Sequence, residues 1–287
     1  MKNGLKLTGK PLFLLCFLTL GFNLYAEYAA DTISVTDPTE PVSAGSPQSV
    51  FALDLRRDLI ISTICLGMFF GARFIRPTRI YNQYLNVNDI NAIDRGLVRF
   101  YRNQSLHVAS VTLASWINGL PIIVPLALVE WRDLRSDFNI WFTYGVMYVQ
   151  AFVFKRTIRG AMGRMVGRPR PHHYLDGFIE GPISVNSFPS GTTAAAFMPA
   201  TFLSVTFSAE FPDSQWRIPI IVGSHTLAAL AGAGRIIAGT HFLTDVLAGA
   251  AIGSFIGWLI PTLHRRPDES NFSVYFTGNG KMLSLRL

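Results

Sequence analysis

Between residues 57 and 262 the chain alternates apolar runs with short polar stretches, and six runs read as membrane-spanning helices, centred on 59–74, 106–129, 138–154, 192–207, 216–234 and 242–260. Several fall short of the ~20 residues of a full span, and each has flanking residues that extend it. The last run carries Gly249, Gly253 and Gly257 at intervals of four. That spacing gives one smooth helix face, on which another helix can approach closely. Between the first two runs lies "RPTRIYNQYLNVNDINAIDRGLVRFYRNQS". Its Ile90, Ile93, Leu97, Val98 and Tyr101 suit an amphipathic helix lying at the membrane interface, and a plain surface loop fits it equally well.

The ends of the chain follow other patterns. Residues 1–26 begin with three lysines and continue as an apolar stretch closing on small residues near Ala26. This is an export signal, or else an uncleaved anchor. Residues 27–56 are polar, rich in Pro, Ser and Thr and without apolar periodicity, which predicts a flexible linker. In the tail, residues 266–287, "SVYFTGNGKMLSLRL" alternates around a Gly-Asn-Gly turn and predicts a short hairpin. The fold expected is an all-α polytopic bundle of about six transmembrane helices over residues 57–265.

Composition narrows the function. With 49% hydrophobic and 15% charged residues and a mean hydropathy of +0.31, the chain is too apolar for an ordinary soluble protein of 287 residues. The net charge of +7 comes mostly from Arg. In a membrane protein that points to anionic lipid or phosphate and away from nucleic acid. Cys16 and Cys65 both lie in apolar runs, so neither a disulfide framework nor a thiolate metal site is indicated. Orientation stays open. Export of residues 27–56 puts the loop 155–191 and the Arg cluster 73–102 in the cytoplasm, as the positive-inside rule prefers, whereas without export of the N-terminal run both loops face the periplasm.

Three polar segments recur where the apolar runs end. In "GRPRPHHY", Arg168 and Arg170 are each followed by Pro, which stiffens the backbone and aims two guanidinium forks suited to a phosphoryl group. A basic loop at a membrane edge can equally contact lipid headgroups. In "SFPSGTTAAAF", Pro189, Ser190 and Gly191 precede an apolar helix, so free N–H groups, a hydroxyl and the helix dipole converge on an anion site; a plain Ser N-cap is the simpler reading. In "RIIAGTHFLTD", Arg235 ends one run, Gly239 allows a turn, and His241 stands four residues before Asp245 on one helix face. The carboxylate can hold one imidazole nitrogen and leave the other free to attack phosphorus. Ionisable groups at the mouth of a membrane bundle are expensive, which marks them as functional candidates. His107 and His225 lie inside runs and are read as packing residues.

Taken together and in order, the three segments resemble the signature of the type 2 phosphatidic acid phosphatase superfamily, over roughly residues 57–262. Its pattern is a Lys, six residues, then Arg-Pro; later Pro-Ser-Gly-His; later Ser-Arg, five residues, His, three residues, Asp. The resemblance implies that Arg170 and Arg235 bind phosphate with Arg168 beside them, that Ser190 and Gly191 bind it through hydroxyl and backbone, that His241 is the nucleophile forming a phosphohistidine, and that Asp245 orients His241. It also implies no metal and no other cofactor, a lipid phosphate substrate held in the bilayer, and a multi-pass membrane protein with a periplasmic active site; the signal-like N-terminus makes that membrane a bacterial inner membrane. Three positions depart from the pattern. Gly163 stands where the family has Lys, with Arg164 one place on as a stand-in; Gly234 stands for Ser; and Thr192 stands for the general-acid His.

The last departure bears on the leaving group. A simple alkoxide needs a proton, and losing a general acid costs ~10²–10⁴-fold. A lipid diphosphate or a sugar 1-phosphate needs little help, and His172 and His173 beside the Arg-Pro pairs are candidates for rescue. The function expected is a lipid phosphatase, with lipid A phosphate, undecaprenyl diphosphate, phosphatidylglycerol phosphate and phosphatidate as candidate substrates. The alternatives are a lipid phosphotransferase with an acceptor hydroxyl, or a lipid-binding pseudoenzyme.

Overall fold

A computed structural model describes residues 49–75, 79–80, 83–128, 131, 137–174, 178–179, 183–266, 273–277 and 280–284. All fall in one compact unit, Gln48–Leu287. The signal or anchor at residues 1–26 and the linker through residue 48 lie outside the described residues. The protein is an all-α, multi-pass membrane protein. Its helices are α1 (Leu55–Phe74), the single turn α2 (Ala92–Arg95), α3 (Gln104–Ile117), α4 (Leu120–Ala127), α5 (Phe138–Val166), α6 (Gly191–Glu210), α7 (Arg217–Ile237) and α8 (Leu243–Leu263).

Helical segments occupy the places of all six expected spans. Among the described residues, α7 and α8 are each long and apolar enough to cross a membrane, with hydropathies of 1.5 and 1.8, and α3 with α4 qualifies as a pair bent by 50°. The bend falls at Asn118 and Gly119, beside Pro121 at the start of α4.

The centre of the bundle is α6, held between α7 and α8. The glycine stripe does the packing expected of it: a Cβ at Gly249 would lie 2.5 Å from the Ser190 carbonyl oxygen, one at Gly253 2.7 Å from that of Ala194, and one at Gly257 would collide with that of Met198. Any side chain there would push α8 off α6, so the two backbones touch only because these positions are bare. On the other flank Ala196 and Ala200 meet Ala228 and Ala231, all buried. Met147, Met198, Phe202, Phe207, Ile256 and Ile260 fill the interior between α5, α6 and α8.

Two expectations change. The interfacial helix shrinks to α2, capped by Asn91, whose side chain accepts from Asp94 N, and followed by Gly96. Asp94 is buried by bonds of its own, so this segment is anchored by a polar contact and no long amphipathic helix forms. The linker ends earlier than residue 56. Phe51 is buried edge-on against Tyr144, Ser49 Oγ donates to Glu210 at 2.5 Å, and Ala52 N donates to the His264 carbonyl at 3.0 Å. Small antiparallel pairings also join the loops: β1 (Arg79–Ile80) with β4 (Ile183–Ser184), and β2 (Gln83–Tyr84) with β3 (Phe178–Ile179). In the tail, β5 (Ser273–Thr277) pairs with β6 (Gly280–Ser284), as the hairpin reading expects.

Candidate active site

One end of the bundle gathers the C-termini of α5 and α7 and the N-termini of α3, α6 and α8. Each chemical segment sits at one of those ends because a local signal stops or starts a helix there. Helix α5 ends at Gly167, left-handed at φ 57°, which turns the chain into Arg168-Pro-Arg-Pro. Helix α6 starts on Ser190, whose Oγ accepts from Thr193 N at 3.4 Å and from Thr193 Oγ1 at 2.9 Å. Helix α7 gives way to Gly239, φ 67°, where a Cβ would strike the Tyr101 carbonyl. The segment before α3 therefore crosses directly over this turn, and Asn103 N binds the Ala238 carbonyl at 3.1 Å.

His241 is 2% exposed. Its Nδ1 lies 2.8 Å from the Ser187 carbonyl oxygen, which accepts only, so Nδ1 carries the hydrogen and Nε2 keeps its lone pair. Asp245 Oδ2 is 3.6 Å from Nδ1, beyond hydrogen-bond reach. The immediate orienter is thus the Ser187 backbone, with Asp245 behind it as countercharge. Asp245 Oδ2 accepts from Ser187 Oγ at 2.5 Å and from Phe242 N at 2.9 Å, closing the first turn of α8 and fixing the Ser187 loop together. Burial, with Arg170 and Arg235 adding to it against Asp245, pushes the His241 imidazole down to about 4. It stands neutral, as a nucleophile requires.

Arg168 departs from the expected role. Nη1 donates to Asp245 Oδ1 at 2.9 Å and to Thr244 Oγ1 at 2.7 Å, Nη2 donates to Asp94 Oδ2 at 2.7 Å, and the guanidinium lies 3.9 Å over the Phe242 ring. Its fork is spent on two carboxylates that are themselves fully shielded. Arg168 therefore anchors Asp245 instead of facing phosphate. Burial alone would raise the Asp94 carboxyl, but bonds from Thr244, Arg168 and Asn91 hold it below its usual range. Asp94 and Ser187 are site residues the sequence reading missed; their partners in the fold are far along the chain, and only the Asn91–Asp94 cap signal marks either of them.

The other two arginines of the expected phosphate site are Arg170 and Arg235. Arg235 is 2% exposed; its Nη1 is taken up by α3, while its buried Nε has no hydrogen-bond partner. Arg170 makes no side-chain hydrogen bond or ion pair within the described residues; burial and the neighbouring Arg102 hold its guanidinium below its usual range. Arg102, also unanticipated, stands near Arg170, Arg235 and His107. A buried donor without a partner beside closely set positive charges is what an anionic group would complete.

At the first motif, a Cβ on Gly163 would lie 2.6 Å from Asn186 Oδ1, so the loop occupies the room a Lys would need. Arg164 turns away and donates to the Ala72 carbonyl at the end of α1. The cation at the Pro-Ser-Gly turn is Arg159, donating from Nε to the Pro189 carbonyl at 3.2 Å and from Nη2 to that of Asn186 at 3.3 Å. A Cβ on Gly191 would lie 3.0 Å from Arg159 Nε, a tight contact to which the arginine side chain would have to give way. Thr192, the second residue of α6, is half-buried. His172 and His173 lie side by side in a short helical turn, ring centres 4.3 Å apart and the rings tilted by 46°. His225 is a packing residue as expected, bonded to Ile221 O at 2.9 Å and Thr201 Oγ1 at 3.1 Å; His107 is not, since its Nδ1 meets Arg235.

Residues 141–268 match the model of the PAP2 superfamily. A lipid A 1-phosphatase of Porphyromonas gingivalis is 32% identical over 106 residues, 36% of this chain and 22% of the relative. A lipid A 1-phosphatase of Rhizobium etli is 31% identical over 130 residues, 42% of this chain and 51% of the relative. The chain thus spans about half or less of the length of these relatives. A solved structure, the transmembrane PAP2-type phosphatidylglycerolphosphate phosphatase from Bacillus subtilis, is 18% identical with a TM-score of 0.39, covering 72% of this chain and 94% of that one.

Proposed function

We propose that the chain, whose residues 141–268 match the PAP2 superfamily model, is a lipid phosphatase working through a phosphohistidine on His241, and that its substrate is an anomeric lipid phosphate such as the 1-phosphate of lipid A, or a lipid diphosphate. The observation that carries the reading is the pairing of a neutral imidazole, Nδ1 held by Ser187, with the unpartnered buried Nε of Arg235. His241 Nε2 attacks phosphorus in line; the bond to the leaving oxygen breaks with its electrons going to that oxygen. Arg235 and Arg170 hold the charge on the phosphoryl oxygens. The imidazole becomes cationic once phosphorylated, and the Asp245 carboxylate 3.6 Å away offsets that charge. Water then adds to phosphorus, loses a proton to solvent and releases phosphate, returning Nε2 to its free state.

Thr192 has no acid to offer the leaving oxygen, which favours oxygens that leave readily. The names of the curated relatives point the same way, since lipid A 1-phosphate is a sugar 1-phosphate. We place the protein in the bacterial inner membrane, with six spans and the mouth toward the periplasm. The test is phosphate release by the purified protein, without added metal, from lipid A 1-phosphate, undecaprenyl diphosphate, phosphatidylglycerol phosphate and phosphatidate, beside His241→Ala and Thr192→His. Release from the first two should vanish in His241→Ala, and Thr192→His should raise the slow phosphatidate rate by ~10²-fold or more. Release no greater than that of His241→Ala from every substrate leaves a binding protein, and release only with an acceptor lipid makes it a transferase.

A further inference from the structure

We propose that helix α3 supplies a positioning pair to the phosphate site, His107 and Ser110, which act through Arg235; this rests on the reading of Arg235 as a phosphate ligand. Three acceptors from α3 converge on Arg235 Nη1: His107 Nδ1 at 3.0 Å, Ser110 Oγ at 3.1 Å and the His107 carbonyl at 3.2 Å. A guanidinium only donates, so His107 Nδ1 is an acceptor and the imidazole is held as its Nε2–H tautomer. Ser110 Oγ in turn donates to the His107 carbonyl at 2.9 Å, leaving its lone pairs to Arg235. With both hydrogens of Nη1 engaged on one side, the remaining edge of the fork, Nη2 and the unpartnered Nε, is left for a bidentate anion.

The same contact accounts for Gly234. A Cβ there would lie 2.9 Å from Ser110 Cβ, so α3 sits directly on the residue preceding Arg235. The hydroxyl that the family pattern places at that position thus arrives from a different helix: Ser110 occupies the space and serves the arginine. No motif places α3 in the site, because its partner is 125 residues away.

The test is direct binding of vanadate to the purified full chain in detergent, by calorimetry, for wild type, Ser110→Ala, His107→Ala, His107→Asn and His107→Gln, with thermal unfolding of each. An Asn amide oxygen reproduces an Nδ1 acceptor, whereas a Gln amide reaches toward the Nε2 position. His107→Ala, His107→Gln and Ser110→Ala should each weaken vanadate about 10-fold, the effect of one charged hydrogen bond, while His107→Asn stays within about 3-fold of wild type. Unfolding midpoints should not follow that order, as they would if His107 merely packed. The proposal is overturned if all variants bind as wild type does, if Asn is as damaging as Ala, or if wild type binds no vanadate. Failure of the phosphatase reading looks different: vanadate binding graded in this way with no turnover of any lipid phosphate removes the activity and leaves the positioning pair standing.

Discussion

Replacing Arg168 by Met separates two roles that the sequence leaves undivided. A phosphate ligand at the mouth would be lost at little cost to folding, with KM raised. Arg168 instead bridges Asp245 at 2.9 Å and Asp94 at 2.7 Å, and both carboxylates are fully shielded from solvent while the arginine side chain is 17% exposed. Removing the cation leaves two buried carboxylates without their countercharge; breaking one buried pair typically costs about 3–5 kcal/mol. The arginine's partial exposure and the bonds that remain from Thr244, Ser187 and Phe242 pull the figure to the lower end, so Arg168→Met should destabilise by about 3 kcal/mol. Asp94→Asn in the same background removes one stranded charge, and the two substitutions should couple by about 2 kcal/mol in a double-mutant cycle. The assay is denaturant unfolding in detergent, with kcat and KM measured under native conditions. Turnover should fall with kcat, through disordered Asp245 and Ser187, and KM should move little. Arg168→Met with wild-type stability and a raised KM, or additive substitutions, would refute the bridge.

Two further predictions rest on other contacts. His241 resists protonation down to about 4, whereas the unfolded chain takes up that proton near 6.5, so the folded state loses stability as pH falls between those values. From pH 8 to pH 5 wild type should lose about 2 kcal/mol relative to His241→Gln by this linkage, and parallel stability curves for the two would contradict it. Along the glycine stripe, Gly249→Ala presses on the Ser190 carbonyl and Gly257→Ala on that of Met198, about two helical turns away. Both should destabilise by about 1–3 kcal/mol from overpacking, but only Gly249→Ala should also reduce kcat, and equal effects on kcat would show that the site does not depend on this contact.

The legible parts of this molecule are those whose cause lies within one segment. The six apolar runs, the glycine stripe of α8, the tail hairpin and the Ser190 cap each follow from a local period or a local cap, and the structure has all of them; His241 instead precedes the Phe242 cap of α8, off the helix face it was expected to share with Asp245. The division of labour among the arginines was not legible, because a guanidinium's role is decided by the acceptor it meets. Arg168 and Arg170 are two residues apart in one stiff turn, yet one pairs with Asp94 and Asp245 and the other forms no ion pair within the described residues. Arg164 follows Gly163 on α5 but faces α1, while Arg159, one turn earlier on the same helix, reaches the Pro-Ser-Gly turn. The departures from the family pattern share this origin. Asn186 takes the room at Gly163, and Ser110 takes the room at Gly234, so two bare positions that look like losses along the chain are places where another segment has moved in. Thr192 is the exception: it is half-buried in the first turn of α6, and no described hydrogen bond joins its hydroxyl to another residue. Of the three departures it alone leaves the chemistry short of a group, which is why the leaving group of the substrate, and not the packing of the protein, is where its consequence should appear.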